Sequence, residues 1–153
     1  AAGQLTIATS DAARGVIIPS RRFGITSSTH GETDGDVVNF GSGSVVAGKC
    51  YYLTSGGAWA LADRRAEASA TNFLAVALAT GTGSSVGMCI RGMVTMASDT
   101  GTKGSVSYLR INGDFEASPT TTSGEFVRIM GYCLDDTNGQ MFFNPSTDWV
   151  EIA

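Results

Sequence analysis

Gly48-Lys49-Cys50-Tyr51-Tyr52-Leu53-Thr54-Ser55-Gly56-Gly57-Ala58-Trp59 decides the fold, because the chain returns to its pattern at Gly104-Ser105-Val106-Ser107-Tyr108-Leu109-Arg110-Ile111-Asn112-Gly113-Asp114-Phe115. Gly48 falls on Gly104, Tyr52-Leu53 on Tyr108-Leu109, Gly57 on Gly113 and Trp59 on Phe115, always at a shift of 56 residues. The shift holds onward without a gap: residues 74–78 fall on 130–134 and Gly83 on Gly139. A fixed internal period marks a duplicated structural unit. The matched places are glycine turns and packing aromatics, so the repeat speaks for architecture rather than for a polar site.

Each copy reads as hairpins. Residues 50–53 turn at Gly56-Gly57 into 58–61, and residues 108–111 turn at Asn112-Gly113 into 114–116. Gly-Gly and Asn-Gly suit two-residue hairpin turns, whose central positions need positive φ. A second matched pair is expected, from 76–78 through Thr82-Gly83 into 86–90, and from 132–134 through Asn138-Gly139 into 140–143. Between the copies, strict alternation puts Met88, Ile90, Gly92 and Val94 on one strand face and Cys89, Arg91, Met93 and Thr95 on the other. Residues 63–70 form the one helical candidate, with Asp63 as its cap. Their counterpart, 119–124, is not helical, which predicts one short helical turn at most.

These signals predict an all-β fold: a compact barrel or sandwich built from two tandem copies of a β-hairpin unit, with an extended N-terminal arm. The β domain spans 36–153, and its copies, 48–90 and 104–146, are expected to superpose about an approximate twofold. The arm spans 1–35. It holds short strand candidates at 5–7 and 15–19 and a polar loop over 27–35, and most of its contacts are expected with other chains.

A chain of 153 residues that is 42% hydrophobic can bury a core of its own. Only 16% of residues are charged, and small and hydroxyl residues fill the gap, as in nested β proteins and in assembly subunits. The net charge of −4 is uneven. Residues 1–30 carry three arginines, Arg14, Arg21 and Arg22, against Asp11, whereas the rest carries seven basic and thirteen acidic residues. A mildly basic arm ahead of an acidic body can dock on an acidic partner. No basic stripe argues for nucleic acid. The longest apolar stretch, 73–79, is far too short to span a membrane. The chain opens at Ala1, as if an initiator Met had been removed, so cytoplasmic synthesis and a soluble product are expected. Cys50, Cys89 and Cys133 are too sparse for a disulfide framework or a zinc site and read as small buried hydrophobes in a reducing compartment.

No catalytic or cofactor motif emerges. His30, the single histidine, lies in the polar loop, and a nucleophilic hydrolase needs a base beside its Ser or Cys. Asp135-Asp136 precedes a turn and reads as a turn former rather than an acid–base pair. The run from Glu32 to Asp36 looks like a scrap of a calcium loop without its distal glutamate, so only a weak interfacial cation near Asp34 and Asp36 stays open. Gly81-Thr82-Gly83 lacks a phosphate-loop lysine. Arg91 breaks a half-apolar strand face and reads as a snorkelling arginine, or one that pairs with an acid or crosses an interface. Trp149 has no counterpart in the repeat and is a candidate interface residue. Partner contacts are thus placed at Arg14, Arg21, Arg22, Arg91 and Trp149, with no catalytic, cofactor or metal residues.

The order of features across 37–153 carries a resemblance. Val46-Ala47-Gly48, the Tyr-Leu strand, Trp59, residues 73–78, Cys89-Ile90-Arg91-Gly92-Met93-Val94, residues 127–132, Phe142-Phe143-Asn144-Pro145-Ser146 and Trp149-Val150-Glu151-Ile152 follow in a pattern that resembles structural proteins of tailed-bacteriophage virions. The likeness is to small capsid decoration (cement) proteins and to β-rich phage fibre modules. It implies a non-enzymatic protein without cofactors that binds the major capsid protein on the outer capsid surface, as a homo-oligomer with a trimer favoured, without nucleic acid or membrane partners. It implies assembly in the host cytoplasm. The alternative it leaves open is a tail fibre or appendage subunit for host attachment.

Overall fold

A computed structural model describes Gly24 and residues 27–153. Twelve strands and two short helices follow in the order β1 (Thr33–Val38), β2 (Ser44–Val45), β3 (Cys50–Leu53), β4 (Trp59–Leu61), α1 (Glu67–Thr71), β5 (Leu74–Ala77), β6 (Gly81–Thr82), α2 (Gly83–Val86), β7 (Met88–Thr95), β8 (Val106–Leu109), β9 (Phe115–Glu116), β10 (Phe126–Asp135), β11 (Gln140–Phe143) and β12 (Trp149–Glu151). The fold is all-β, a strongly curled antiparallel half-barrel.

The curl starts at β7. β1 runs antiparallel along β7 from Met88 to Val94. On the opposite edge β5 pairs with Met88 and Cys89, and β11 pairs with residues 92–95. One long strand therefore carries two arms, β5-β3-β4 and β11-β10-β8-β9, side by side on one edge. The ladder slips where Asp36 faces Arg91 but Val37 faces Cys89, leaving Ile90 as a bulge. A bulge bends its strand and strengthens its twist, which splays the arms. It also overturns the strict alternation expected for residues 88–95: Cys89 and Val94 point to one core, Met88 and Ile90 to another.

The bend requires close backbone approach. Gly92 sits at φ 129°, and a Cβ there would lie 2.4 Å from the Gly35 Cα and 2.7 Å from the Asp34 carbonyl oxygen. Only glycine fits both the dihedral and the space. Residues 33–35, expected to end the polar arm, are instead the first half of β1. Ser27 and Gly31 are tied down as well: Gln140 Nε2 donates to the Ser27 carbonyl at 2.7 Å, and the Gly31 N–H to that of Thr95 at 2.8 Å. Backbone pairing recruits this segment despite its Thr-Asp-Gly-Asp sequence, because β7 has a free edge to satisfy. Strand candidates 5–7 and 15–19 lie outside the described residues.

The main core lies between the arms. Cys50, Leu74 and Val76 from the first, with Cys89 of β7, meet Leu109, Phe115, Met130, Met141 and Phe143 from the second, with the Phe115 and Phe143 rings stacked at 6.1 Å. A second core lies behind the first arm, where Tyr51, Trp59, Ala75, Ala77 and Met88 pack under Val45 of β2 and Val86 of α2. Trp59 Nε1 donates to the Phe40 carbonyl at 2.7 Å, which satisfies its one polar atom.

The two arms share strand register in part, broken where Tyr52 pairs with Leu74 but Tyr108 with Ile129, one residue off the shift. Cys50 pairs with Val76 as Val106 pairs with Tyr132, and Leu53 with Trp59 as Leu109 with Phe115, each at the shift of 56. Packing does not follow it: Trp59 lies in the second core and Phe115 in the main core. Beyond β5 the counterparts also part. The hairpin turn expected at Thr82-Gly83 is the helical turn α2, and its strand starts at Met88 rather than 86. Ala77 pairs with Met88 but Cys133 with Met141, so three residues separate the two connections. The expected helical turn near 63–70 is α1, but Asp63 does not cap it. The cap position is Ala66 without a side-chain bond, and the Asp63 carboxylate instead accepts the Arg65 N–H at 2.9 Å, an Asx turn.

Candidate functional site

Of the sequence-derived contact residues, Arg14, Arg21 and Arg22 lie outside the described residues. Arg91 and Trp149 are described, and the structure adds a third residue between them, Arg128. The β7 bulge sends Arg91 outward to the wall of a cleft of about 200 Å³. Phe73, Ile90, Asn144, Pro145 and Arg128 form the rest of that wall, together with Leu74 and Thr147.

Arg128 occupies an inward position of β10. Phe126 and Met130, two residues to either side, are in the main core, and Arg128 itself is only 7% exposed. Its Nε donates to the Ser146 carbonyl at 2.8 Å, and Nη1 to those of Ala70 and Asn72 at 2.9 Å each. The last two lie at the C-terminal end of α1, whose final carbonyls have no partner within the helix. Arg128 thus fastens α1 and the loop after β11 to β10. Burial lowers its pKa, with a small opposing pull from Cys50.

The ion pairs pass this site by. Arg64 holds Glu116 and lies 2.7 Å from Glu125 Oε2, Lys49 meets Asp114 at 2.5 Å, and Arg65 meets Asp63 at 2.7 Å. Among the described residues no salt bridge reaches Arg91 or Arg128. Asp36, the register partner of Arg91 across β1 and β7, is the nearest acid in the ladder. The cleft wall itself contains no acidic residue.

Trp149 is backbone partner to Arg128 through the pairing of β12 with β10, and its ring stands edge-on to Phe126 at 5.6 Å. It keeps 40% of its surface exposed, beside Val150 at 61%, and Phe73 on the cleft wall keeps 46%. The structure thus brings Arg91, Arg128 and Phe73 to one cleft, with β12 continuing from Thr147 on its wall. Sequence reasoning missed Arg128, although a signal was there: it shares strand parity with Phe126 and Met130, and a charge on an apolar face needs an explanation.

Two other clefts exist among those described. The larger, about 580 Å³, carries both signs of charge from Asp99, Arg110, Glu116 and Asp136. Another, about 220 Å³, is bordered by His30, Ser98 and Asp99. The trio invites comparison with a hydrolase triad, but Ser98 Oγ is buried without a hydrogen-bond partner, and no hydrogen bond joins it to His30. A nucleophile needs its base within hydrogen-bond reach. Asp135 closes the β10–β11 turn, accepting the Thr137 N–H at 3.1 Å and Asn138 Nδ2 at 3.0 Å. Among the described residues no group of three His, Cys, Asp or Glu could hold a metal ion, and no helix is long and apolar enough to cross a membrane. No protein-family model matches the chain, and no curated protein matches it in sequence.

Proposed function

We propose that this chain is a non-enzymatic structural protein of a tailed-bacteriophage virion, a decoration protein that binds the outer face of the major capsid shell and stabilises it. One observation carries the reading furthest: the β body places Arg91 and Arg128, neither in a salt bridge with a described residue, near exposed Phe73 and Trp149. Charge and apolar surface in one place are what a protein partner uses, the first for orientation and the second for affinity. The order of sequence elements resembling decoration proteins points to the shell as that partner. A protein bound only to the assembled shell stabilises it by mass action, by about 2.7 kcal/mol per site at a free concentration one hundred times Kd. A homotrimer is the assembly that this reading favours.

The test is to add the purified protein to undecorated phage shells. Co-sedimentation, and density for the protein over capsid subunits in a particle reconstruction, are expected, together with a shell melting temperature that rises with added protein. Density confined to the tail overturns the reading in favour of a fibre or appendage subunit.

A further inference from the structure

We propose that the cleft between β5, β7 and the loop after β11 is a receptor for a carboxylate, the side chain of an aspartate or glutamate on a partner protein, with Arg128 at its base and Arg91 at its mouth.

The geometry separates two roles of Arg128. Three of its hydrogen bonds are structural and use Nε and Nη1. Nη2 donates to no described residue, yet it is not among the buried polar atoms without a hydrogen bond, which are Ser98 Oγ, Thr100 Oγ1 and Arg64 Nε, the last in ionic contact with Glu125 Oε2 at 2.7 Å. It is neither bonded nor sealed, so it meets solvent, and the cleft that Arg128 lines is the opening. A purely structural arginine would be sealed or balanced. Arg64 shows how this fold balances one: its side chain, 17% exposed, lies between Glu116 and Glu125. Arg128 is more buried and has carbonyl dipoles alone. A buried charge without a counter-charge is costly, and an incoming carboxylate supplies one.

The cleft selects the kind of anion. About 200 Å³ admits a short side chain rather than a nucleotide or a sugar phosphate. Phe73, Leu74, Ile90 and Pro145 offer contact to methylenes, and Asn144 and Thr147 flank them. A carboxylate accepts from a guanidinium nitrogen in the plane of its oxygens, a match that a lysine in place of Arg128 would lose.

This inference rests on the reading that the Arg91–Trp149 face is a contact surface, but the two fail separately. The probe is propionate, with propionamide as its uncharged match, added to the full-length protein labelled for NMR. Propionate is expected to shift the Arg128 Nε–H resonance and the methyls of Leu74, Ile90 and Thr147 in one saturable curve, and propionamide is expected to leave them in place. Arg91→Ala, an exposed site outside the core, is expected to weaken propionate about three- to fivefold, the scale of one solvent-screened pair. Inorganic phosphate that binds tighter than propionate, equal shifts from propionamide, or no saturable shift each overturns the carboxylate assignment. Shell binding that survives Arg91→Ala and excess propionate leaves the decoration reading standing and refutes this one. Propionate binding without any shell binding does the reverse.

Discussion

Replacing Gly92 with alanine tests the branch in β7, on which the two-armed architecture depends. The residue sits at φ 129°, where an L side chain is strained, and the added Cβ would come within 2.4 Å of the Gly35 Cα. Strain at such a dihedral costs on the order of 1–3 kcal/mol. Forcing two backbones apart adds roughly another 1–3 kcal/mol, the scale of core overpacking. Gly57 is the control: its φ is 77°, but nothing lies within 4 Å of a Cβ added there, so Gly57→Ala carries only the dihedral cost. For a domain of this size each kcal/mol shifts Tm by roughly 2–4 °C. Thermal unfolding followed by circular dichroism should therefore show a loss of about 2–12 °C for Gly57→Ala and about 4–24 °C for Gly92→Ala, with the gap between them reporting the β1–β7 crossing. Equal losses would mean that Gly35 and Gly92 are not in contact, and the account of the splayed arms would fall with them.

The thiols of Cys50, Cys89 and Cys133 are fully buried, and burial pushes those of Cys50 and Cys133 above the ordinary thiol range. A disulfide reagent at about pH 8 should leave the native protein unlabelled and label all of these thiols in guanidinium, and native labelling faster than unfolding would contradict the packing. The Asp63 carboxylate is held below its usual pKa of 3.8, chiefly by its hydrogen bonds from Arg65, so its contribution to stability is present above that value and lost as pH falls through the lower folded value. Asp63→Asn keeps an acceptor for the Arg65 N–H and should change Tm little at about pH 7, since Arg65 is largely solvent-screened. It should flatten the loss of Tm below about pH 4, and an unchanged acid limb would show that the pair contributes nothing.

How much of this was legible in the chain follows from what each signal encodes. Glycine turns encode dihedrals, so the hairpins at Gly57 and Gly113 were readable: both have positive φ, 77° and 69°, although Gly56, expected to share it, does not. Three things resisted. β1 has a poor strand sequence and forms because β7 offers an edge, which is a property of the partner. The segment around Thr82-Gly83 is neutral between turn types, and it coils as α2 where Val86 can cover Trp59 and Met88. The bulge at Ile90 is the third, and it matters most, since one extra residue decides which face of the rest of its strand is inward.

That bulge also bears on why partly shared register gives unequal surfaces. In the first arm Tyr51, Trp59 and Ala75 point away from the main core and are covered by β2 and α2. In the second arm their counterparts Ser107, Phe115 and Gly131 lie on the side of the main core or are buried without side chain. The opposite side of the second arm then shows Tyr132, 50% exposed, with its register partners Val106 and Phe142 partly buried, and Ile129, 39% exposed, opposite Tyr108. No element of the described residues corresponds there to β2 and α2. A period in sequence repeats backbone pairing, which depends on spacing alone, but cover depends on what the neighbouring connection can spare. The first copy has three more residues in that connection and gains a lid over its outer face. The second turns at Asn138-Gly139 and, among the described residues, gains no such element. The asymmetry that distinguishes the two halves is thus set in their loops, the part of a repeat that strand patterning constrains least.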